Sequence, residues 1–357
     1  MIKYLGSKRR LVPALTRIAE AAGTRTALDL FTGTTRVAQA LKHLGTQVTA
    51  VDTARYAEVF ARCYIESDAD AVDIAEIERE VARLDALPGR PGYVTETFCR
   101  RSRFFTPENG ARIDAIRDDI AARHRGTTLE PILLTSLIEA ADRVDSTTGV
   151  QMAYLKQWAP RALQPLSMRV PTLLRGGGRA IRGDAVTLAG TLGPFDLAYI
   201  DPPYNQHRYF TNYHVWETLV AWDAPAHYGV ACKRADSRDP STRSPFNSRR
   251  TMPAALASVI ANVDAALVVV SYNDESWLSA DDLVDMCAAG GRHVEVLEFD
   301  SRRYVGALIG IHNPRGERVG SVSHVRNTEL VLLAGSRDLV QRVSPKVTAE
   351  PLTVAIR

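Results

Sequence analysis

The sequence predicts an α/β protein built on a doubly wound, mostly parallel sheet. Residues 27–38 have the pattern of a strand, a tight turn and the start of a helix. A second apolar run at 48–52 and a third at 195–200 each end in a carboxylate. Near-continuous apolar runs of this length are typical of parallel strands covered on both faces. In such sheets ligands bind at the carboxyl ends of the strands.

The first of these segments predicts a nucleoside-binding turn. Asp29 ends the strand, Gly33 permits a close approach of backbone, and Asp52 ends the next strand, where dinucleotide-binding folds grip a ribose. The full Gly-x-Gly-x-x-Gly pattern is missing, which argues against a pyrophosphate and excludes a dinucleotide-dependent oxidoreductase. A ligand without phosphates, such as S-adenosylmethionine, needs less clearance and fits better.

The central stretch is Asp201-Pro202-Pro203-Tyr204, directly after the third strand. The prolines cannot continue a ladder, so the strand must stop at Asp201. The carboxylate and the neighbouring carbonyls can accept hydrogen bonds from an amino group, and Tyr204 offers a flat face to a planar base. An amine held this way loses conjugation with its ring, and its lone pair becomes available for attack. A strand-terminating turn is the alternative if the motif stands alone.

Polar residues flank this stretch in the chain. Asp184 follows Gly183 just upstream and is predicted to lie near the same sheet edge. Residues 206–214 are dense in polar and aromatic groups, and an apolar helix starts at Val215. At the N-terminus, a Gly-Ser turn inside residues 3–10 precedes a helical pattern. It either brings N–H groups and a cation to an anionic ligand or belongs to a basic, partly disordered end.

The middle of the chain reads as an inserted helical module. Helices are predicted over residues 71–87, 107–120 and 131–144. Basic and aromatic residues alternate at 98–105, where arginines either meet phosphates or guanines or form a solvated turn. Residues 231–250 are predicted to be a mobile basic loop that clamps nucleic acid or is simply solvated surface.

The final third alternates short strands and turns. Strands are predicted at 265–271, 294–299, 303–311 and 329–334, with a hairpin turn at 313–316. We therefore predict a discontinuous catalytic domain of residues 1–60 and 171–357, interrupted by a mainly helical domain of residues 61–170.

Composition limits the class of protein. Of the 357 residues, 45% are hydrophobic and 24% charged, as in ordinary globular proteins. No apolar run reaches the roughly 20 residues of a membrane span, and no signal-peptide core follows Met1, so a cytoplasmic protein is expected. The net charge of +3 does not by itself establish a nucleic-acid partner. The four cysteines form no Cys-x-x-Cys pair, so no metal site is predicted.

The order of these motifs resembles that of the D12 class of N6-adenine-specific DNA methyltransferases. Within that class the chain is most similar to the Dam/FokI-type modification methylases with α-type motif order. The matching stretches are, in order, KYLGSK, DLFTGTTRVA, VD, the helical insertion, GDA, DPPYNQHRYFTNYH, VVVSYND and RNTELVLL. The resemblance implies a Rossmann-like S-adenosylmethionine-dependent methyltransferase fold with a terminal antiparallel strand, and it makes residues 61–170 a DNA target-recognition domain.

The resemblance also assigns residues. The expected catalytic residues are Asp201, Pro202, Pro203 and Tyr204. The expected cofactor-binding residues are Tyr4, Gly6, Lys8, Asp29, Phe31, Gly33, Asp52 and Asp184. The candidate DNA-binding residues, chosen for their charge and position, are Arg100, Arg101, Arg103, His207, Arg208, Asn212, His214 and Arg243. One departure stands out: Thr34-Thr35 occupies the place of a second small residue or glycine, which is expected to alter cofactor affinity.

The expected reaction follows from these roles. The adenine is extruded from duplex DNA because its N6 cannot reach a bound cofactor while stacked. Tyr204 stacks on the base, Asp201 and the Pro202 carbonyl accept from N6, and the lone pair attacks the cofactor methyl in line. Rival interpretations are a methyltransferase of RNA or of a protein amide, or a catalytically silent DNA-binding protein of this fold. Double-stranded DNA and possibly a cognate restriction endonuclease are the expected partners, and a monomer is plausible.

Overall fold

A computed structural model of the chain describes residues 2–203, 206, 208–273, 276–302, 311–312, 318–320 and 326–348. These residues divide into two compact units. The first unit comprises residues 2–7, 32–184 and 208–244, and the second unit comprises residues 8–31, 185–206 and 245–348, each with the gaps just given. No helix among the described residues is long and apolar enough to cross a membrane.

The elements alternate along the chain as the sequence predicts. The α-helices are α1 (Val12–Ala22), α2 (Arg36–His43), α3 (Arg55–Ala61), α4 (Ile74–Asp85), α5 (Pro107–Arg123), α6 (Leu129–Arg143), α7 (Ala185–Leu188), α8 (Tyr209–Asn212), α9 (His214–Ala221), α10 (Met252–Asn262), α11 (Ala280–Ala288) and α12 (Arg337–Thr348). The strands are β1 (Thr26–Asp29), β2 (Gln47–Asp52), β3 (Arg179–Arg182), β4 (Phe195–Ile200), β5 (His227–Tyr228), β6 (Lys233–Arg234), β7 (Ala265–Asn273), β8 (His293–Arg302), β9 (Ile311–His312), β10 (Arg318–Gly320) and β11 (Arg326–Gly335).

The second unit contains a mixed sheet with strand order β1-β4-β7-β11-β8. Strands β1, β4 and β7 are parallel, with Leu28 opposite Ala198 and Ala198 opposite Val268. Strand β11 runs antiparallel to both β7 and β8. The parallel strands are apolar and buried, as is typical of a sheet with both faces covered. This arrangement confirms the predicted α/β fold with a terminal antiparallel strand.

Strand register brings polar side chains to one face at the carboxyl end of β4. Ile200 lies opposite Val270, so Asp201 follows β4 beside Ser271. Glu329 lies opposite Asn273 in the antiparallel pair of β11 and β7. Because side chains alternate between the two faces of a sheet, Asp201, Ser271, Asn273 and Glu329 share a face with Tyr199. The strand ends here because the two following prolines cannot donate to a ladder.

The first unit joins a parallel strand pair to a helical region. Strand β2 pairs with β3, with Val51 opposite Ile181, and α2 and α3 pack on β2. The insertion is mainly helical, as predicted, and is built from α4, α5, α6 and π-helical turns at Arg62–Glu66 and Thr95–Arg100. Helix α5 begins as the sequence indicates, since the Thr106 side chain caps it and Pro107 takes the first helical position.

Three predictions meet a different outcome. Residues 231–250 are not a bare mobile loop, because β6 and short 3₁₀ turns lie there and Arg234 is buried between Asp223 and Asp236. These two carboxylates neutralise the guanidinium, which permits its burial. Residues 303–310 and the predicted turn at 313–316 lie outside the described residues, although β9 and β10 on either side of the turn pair antiparallel. The predicted domain boundaries differ from the limits of the two units and stay a prediction.

Candidate active site

Asp201 is the carboxylate at the carboxyl end of β4. Its Oδ1 accepts a hydrogen bond of 3.0 Å from Ser271 Oγ and lies 3.2 Å from Lys8 Nζ. The side chain is 15% exposed. Pro202 and Pro203, which follow it, carry no N–H, so their carbonyls are local acceptors with no competing backbone donor beside them.

Lys8 links Asp201 to a second carboxylate. Its Nζ lies 3.0 Å from Glu329 Oε2, and the lysine is only 7% exposed. Asn273 Nδ2 donates a long hydrogen bond of 3.4 Å to Glu329 Oε1. One ammonium is therefore shared by two carboxylates in a poorly solvated place, where each charge interaction is stronger than in water.

Burial raises the pKa of Asp201 to about 6, and Glu329 pushes that pKa in the same direction while Lys8 and Ser271 oppose the rise. The group is thus ionised at neutral pH and able to accept from an amine. Burial also raises the pKa of Tyr199, so this phenol stays protonated; its hydroxyl lies 2.8 Å from Ser271 Oγ. The structure therefore supplies a hydrogen-bonded acceptor at the predicted position.

The rest of the predicted catalytic run is only partly visible. Pro202 is buried and Pro203 is half-buried. Tyr204 and His207 lie outside the described residues, so the predicted stacking of Tyr204 on a base stays a prediction.

Asp52, in the first unit, forms the acidic end of the predicted nucleoside-binding turn. Its Oδ2 accepts from Gly33 N and its Oδ1 accepts from Ala54 N, both at 2.9 Å. Burial raises its pKa, and these backbone hydrogen bonds partly offset the rise. A carboxylate has about four acceptor sites, so each oxygen retains capacity for a hydroxyl group.

Tyr4 belongs to an aromatic cluster in the first unit. Its ring stacks on Tyr213 at a centroid distance of 4.7 Å and on Tyr209 at 5.3 Å, and its hydroxyl lies 3.3 Å from that of Tyr56. The ring also lies against Gly33, because a Cβ at that glycine would be 3.1 Å from Tyr4 Cε1. Gly33 has φ +51°, a backbone region that favours glycine.

The cluster also holds the N-terminal segment in place. Leu5 N donates to the Tyr213 hydroxyl at 2.6 Å, and Gly6, at φ +77°, lies close to the Tyr209 hydroxyl. Ahead of Tyr4, Lys3 Nζ forms ion pairs with Asp142 and Asp145, both at 3.1 Å. The alternative of a disordered N-terminus is therefore wrong for residues 2–7. Sequence reasoning had marked the run containing Tyr209 and Tyr213 as polar and aromatic, but it did not assign these two residues or Tyr56 to the cofactor region.

Thr35 has an unusual backbone. It adopts φ +60° and ψ +16° at the start of α2 and is completely buried. Its Oγ1 donates to Thr34 O at 2.7 Å and accepts from Gln39 Nε2 at 2.8 Å. A β-branched residue with positive φ is a conformational outlier. The departure noted in the sequence thus lies where the backbone would favour glycine.

Glu217 is a buried acid of the first unit that sequence reasoning missed. Its Oε1 accepts a 2.8 Å hydrogen bond from Arg55 N, the first residue of α3. This bond satisfies one of the free N–H groups at the start of the helix. Burial raises the pKa of Glu217 to about 7. A single glutamate inside the apolar pattern of α9 gave no sequence signal for this cap.

The remaining predicted cofactor residues lie in different settings. Asp29 is buried at the end of β1 in the second unit. Phe31 packs edge-to-face on Phe246 at 5.0 Å in the same unit. Asp184 is exposed in the first unit, directly after Gly183, whose N–H donates to Asp52 O at 2.9 Å.

Some candidate DNA-binding residues are accessible. Arg100 and Arg101 are exposed, and both pair with Glu96. Arg103 lies over the Trp158 ring at 4.6 Å and donates to Lys156 O. Arg243 is exposed as well, whereas Arg208 is partly buried.

His214 and Asn212 are placed in the core. His214 is completely buried, and its Nε2 donates to Gln151 O at 3.0 Å. Burial lowers the pKa of His214 to about 3, so it offers no cation to a phosphate. Asn212 is 4% exposed, and its carbonyl accepts from Gln151 N at 2.7 Å. Their expected direct contact with DNA does not agree with these positions.

Comparison with known proteins places these motifs in context. A family model described as "D12 class N6 adenine-specific DNA methyltransferase" matches residues 4–286. The type II methyltransferase M.NlaIII of Neisseria lactamica is 30% identical over 319 residues, covering 85% of this chain and 92% of that protein.

Two longer proteins are also similar. The modification methylase StsI of Streptococcus sanguinis is 27% identical over 80% of this chain and 46% of its own length. The type II methyltransferase M.FokI of Planomicrobium okeanokoites is 26% identical over 81% of this chain and 47% of its own length. The chain therefore spans about half the length of these two proteins and nearly all of M.NlaIII.

Proposed function

Since this chain belongs to the D12 class of N6 adenine-specific DNA methyltransferases, we propose that Asp201 accepts the N6 amine of the target adenine during methyl transfer in double-stranded DNA. The observation that carries this proposal is the buried Asp201 carboxylate, held by Lys8 and Ser271 beside two prolines. The rival assignments to RNA or to a protein amide are not favoured by the family.

The proposed methyl donor is S-adenosylmethionine, which supplies an electrophilic methyl group when bound. Asp52 has acceptor capacity for the two ribose hydroxyls, and Gly33 keeps the backbone beside it free of a side chain. The face of Tyr4 adds an aromatic surface against Gly33. These residues suit a nucleoside without a pyrophosphate, and we assign Gly6, Lys8, Asp29, Phe31 and Asp184 supporting roles around it.

Asp201 and the Pro202 carbonyl are assigned to the adenine. Accepting both N6 hydrogens would turn the amine toward tetrahedral geometry and free its lone pair. The raised pKa of Asp201 also suits this role, because a more basic carboxylate is a stronger acceptor for the hydrogens of an amine that becomes more acidic as it is methylated. Tyr204 is assigned to the exposed face of the extruded base.

The exposed arginines are assigned to DNA. Arg100, Arg101, Arg103 and Arg243 are proposed to contact phosphates or base edges, with Arg208 and His207 nearer to the target strand. His214 and Asn212 are instead assigned to holding α8 and α9 in place through Gln151.

The biological setting is part of the same proposal. The similar proteins are named as modification methylases or type II methyltransferases, so we place this chain on the modification side of a restriction-modification system. A cognate restriction endonuclease, action as a monomer and a cytoplasmic location follow as proposals from that setting and from the DNA substrate.

The test is methylation mapping of DNA from cells that express the wild-type chain or Asp201→Ala. The wild type is expected to give N6-methyladenine at one short motif, and Asp201→Ala is expected to lose it because the amine no longer has its carboxylate acceptor. Calorimetric titration of the purified variant should still show S-adenosylmethionine binding, because Asp201 is not assigned to the cofactor.

Asp264→Ala is the matched control. Asp264 is an exposed aspartate at the opposite end of the sheet, just before β7, and should leave methylation unchanged. Wild-type methylation by Asp201→Ala would remove Asp201 from the mechanism. A wild-type protein that binds the cofactor but modifies no adenine would refute the proposed substrate.

A further inference from the structure

The charge around Asp201 comes from three separate parts of the second unit. Lys8 belongs to the 3₁₀ turn Lys8–Arg10, Glu329 belongs to β11, and Asp201 follows β4. The Lys8 ammonium reaches one oxygen of each acid, at 3.2 Å from Asp201 Oδ1 and 3.0 Å from Glu329 Oε2. The three groups together carry one net negative charge when all are ionised.

The two contacts of Asp201 share a single oxygen. Both Lys8 and Ser271 approach Oδ1, and Oδ2 makes no hydrogen bond to the other described residues of the second unit. A lysine with no second carboxylate beside it would move toward the midpoint of Asp201 and occupy both oxygens, because its ammonium is a compact charge on a flexible stem. Glu329 draws the ammonium to one side.

We propose that Glu329 is a positioning residue for methyl transfer, which holds Lys8 off one oxygen of Asp201 and keeps that oxygen available to the target amine. The inference rests on the proposed role of Asp201 and adds a residue outside the stretch 4–286 that the family model matches.

Register fixes Glu329 in this position. It pairs with Asn273 across the β11–β7 ladder, and Asn273 Nδ2 donates to its other carboxylate oxygen. Ser271, two residues before Asn273 on the same face, donates to Asp201. Strand β7 therefore sets the distance between the two acids, with Lys8 bridging them.

The groups that influence Asp201 can be named from each element around it. Lys8 lies on the N-terminal turn, Glu329 on β11, Ser271 on β7 and Tyr199 on β4 itself. Tyr199 stays protonated because burial raises its pKa, and Asp29 of β1 acts on Tyr199 rather than directly on Asp201. Lys8 lowers the pKa of Asp201 and Glu329 raises it, so removal of either charge shifts the ionisation of Asp201 in opposite directions.

The experiment compares Glu329→Gln, Lys8→Met and the wild type in single-turnover methylation of DNA with labelled S-adenosylmethionine between pH 5 and 8.5. The Glu329→Gln acid limb should move to lower pH by about half a unit or more, which is about a three-fold change in the ionised fraction on that limb. Its plateau rate should fall several-fold because Lys8 then engages Asp201 alone. Lys8→Met should move the limb to higher pH.

Glu298→Gln serves as the matched control. Glu298 is an exposed acid on β8, opposite Leu330 in the β11–β8 pair, and its replacement removes the same charge from the neighbouring strand. Its pH profile should coincide with the wild type. A merely structural role for Glu329 would lower the unfolding midpoint without moving the acid limb.

A second measurement is independent of catalysis. Carboxyl ¹³C titration of aspartate-labelled protein, with the Asp201 signal assigned by its loss in Asp201→Asn, should show a lower pKa in Glu329→Gln and a higher one in Lys8→Met. An Asp201 titration that does not move in a folded Glu329→Gln protein overturns the inference. If the wild type fails to methylate adenine, the proposed function falls, while this titration still decides whether Glu329 acts on Asp201 through Lys8.

Discussion

At the scale of single residues, Thr35 shows a local conflict between sequence and backbone. A residue other than glycine in the left-handed region costs about 1–2 kcal/mol. We expect Thr35→Gly to be more stable than Thr35→Ala by about 1–2 kcal/mol. Both changes remove the hydroxyl that bonds Gln39, but only glycine relieves the strain at φ +60°. Urea unfolding of the two variants measures the difference.

Thr34 provides the comparison for that experiment. It is also buried and next in sequence, but it has no positive φ. Alanine should therefore be preferred over glycine at position 34, because glycine loses more conformational freedom on folding. Equal stability of Thr35→Gly and Thr35→Ala would show that the backbone at position 35 stores no strain.

The sequence predicted individual site residues where one residue carries its own signal. Asp201 stands out because two prolines follow it, and Gly33 and Asp52 stand out because each ends a strand or permits a turn. Glu329, Tyr56 and Glu217 could not be found in this way. Their importance arises from partners that are distant in sequence, and only strand register or helix packing brings those partners together.

At the scale of elements, the N-terminal segment is fastened to α6 by one lysine. Lys3 Nζ pairs with the buried Asp142 and Asp145 and also donates to the Asp142 carbonyl. We expect Lys3→Met to lower the free energy of unfolding by on the order of 1–2 kcal/mol. The upper range for a broken buried pair is not reached, because Lys3 is 34% exposed and Arg161 still pairs with Asp145.

Chemical denaturation tests this expectation, and a double variant distinguishes its cause. Adding Asp142→Asn to Lys3→Met should recover part of the lost stability, since the amide removes the buried charge that Lys3 leaves behind. No recovery in the double variant would mean that the loss comes from the lysine stem rather than from the ion pair.

Elements with strong periodicity were predictable, and those governed by specific pairing were not. The apolar runs of β4 and β7 and the proline-started α5 agree with their sequence patterns. Residues 231–250 looked like a solvated basic loop because charge dominates their composition. The structure orders part of this stretch through Arg234, whose two aspartate partners lie at positions that composition does not reveal.

At the scale of the whole molecule, buried acids give stability a specific dependence on pH. Burial raises the pKa of Glu217 to about 7 and that of Asp142 to about 6. A raised carboxyl pKa means that the folded state binds more protons than the unfolded state between the ordinary value and the raised one, so this contribution falls as pH rises through that window. His214, with its pKa lowered to about 3, acts in the opposite sense below about pH 6.5.

Glu217→Gln isolates the largest of these acidic contributions. The amide keeps an oxygen for Arg55 N and carries no charge, so the variant should exceed the wild type in stability at pH 8 by on the order of 2–3 kcal/mol. The difference should shrink toward pH 5, where Glu217 is protonated in the folded protein. Urea unfolding at pH 5, 6.5 and 8 measures it.

Glu78→Gln provides the baseline, because Glu78 is an exposed acid on α4 and its replacement should change stability little at any of these pH values. A difference between wild type and Glu217→Gln that stays constant from pH 5 to pH 8 would contradict a raised pKa at Glu217.

The ion pair of Lys8 with Glu329 also has a consequence for synthesis on the ribosome. The two residues are 321 positions apart, and Asp201 lies between them in the chain. A growing polypeptide therefore displays the Asp-Pro-Pro-Tyr stretch long before the strand that carries Glu329 leaves the exit tunnel. Contacts of such wide separation form late, because the intervening chain must first be ordered. The complete charge arrangement around Asp201 thus belongs to the finished chain, and a nascent or truncated product that ends before β11 holds Asp201 without it.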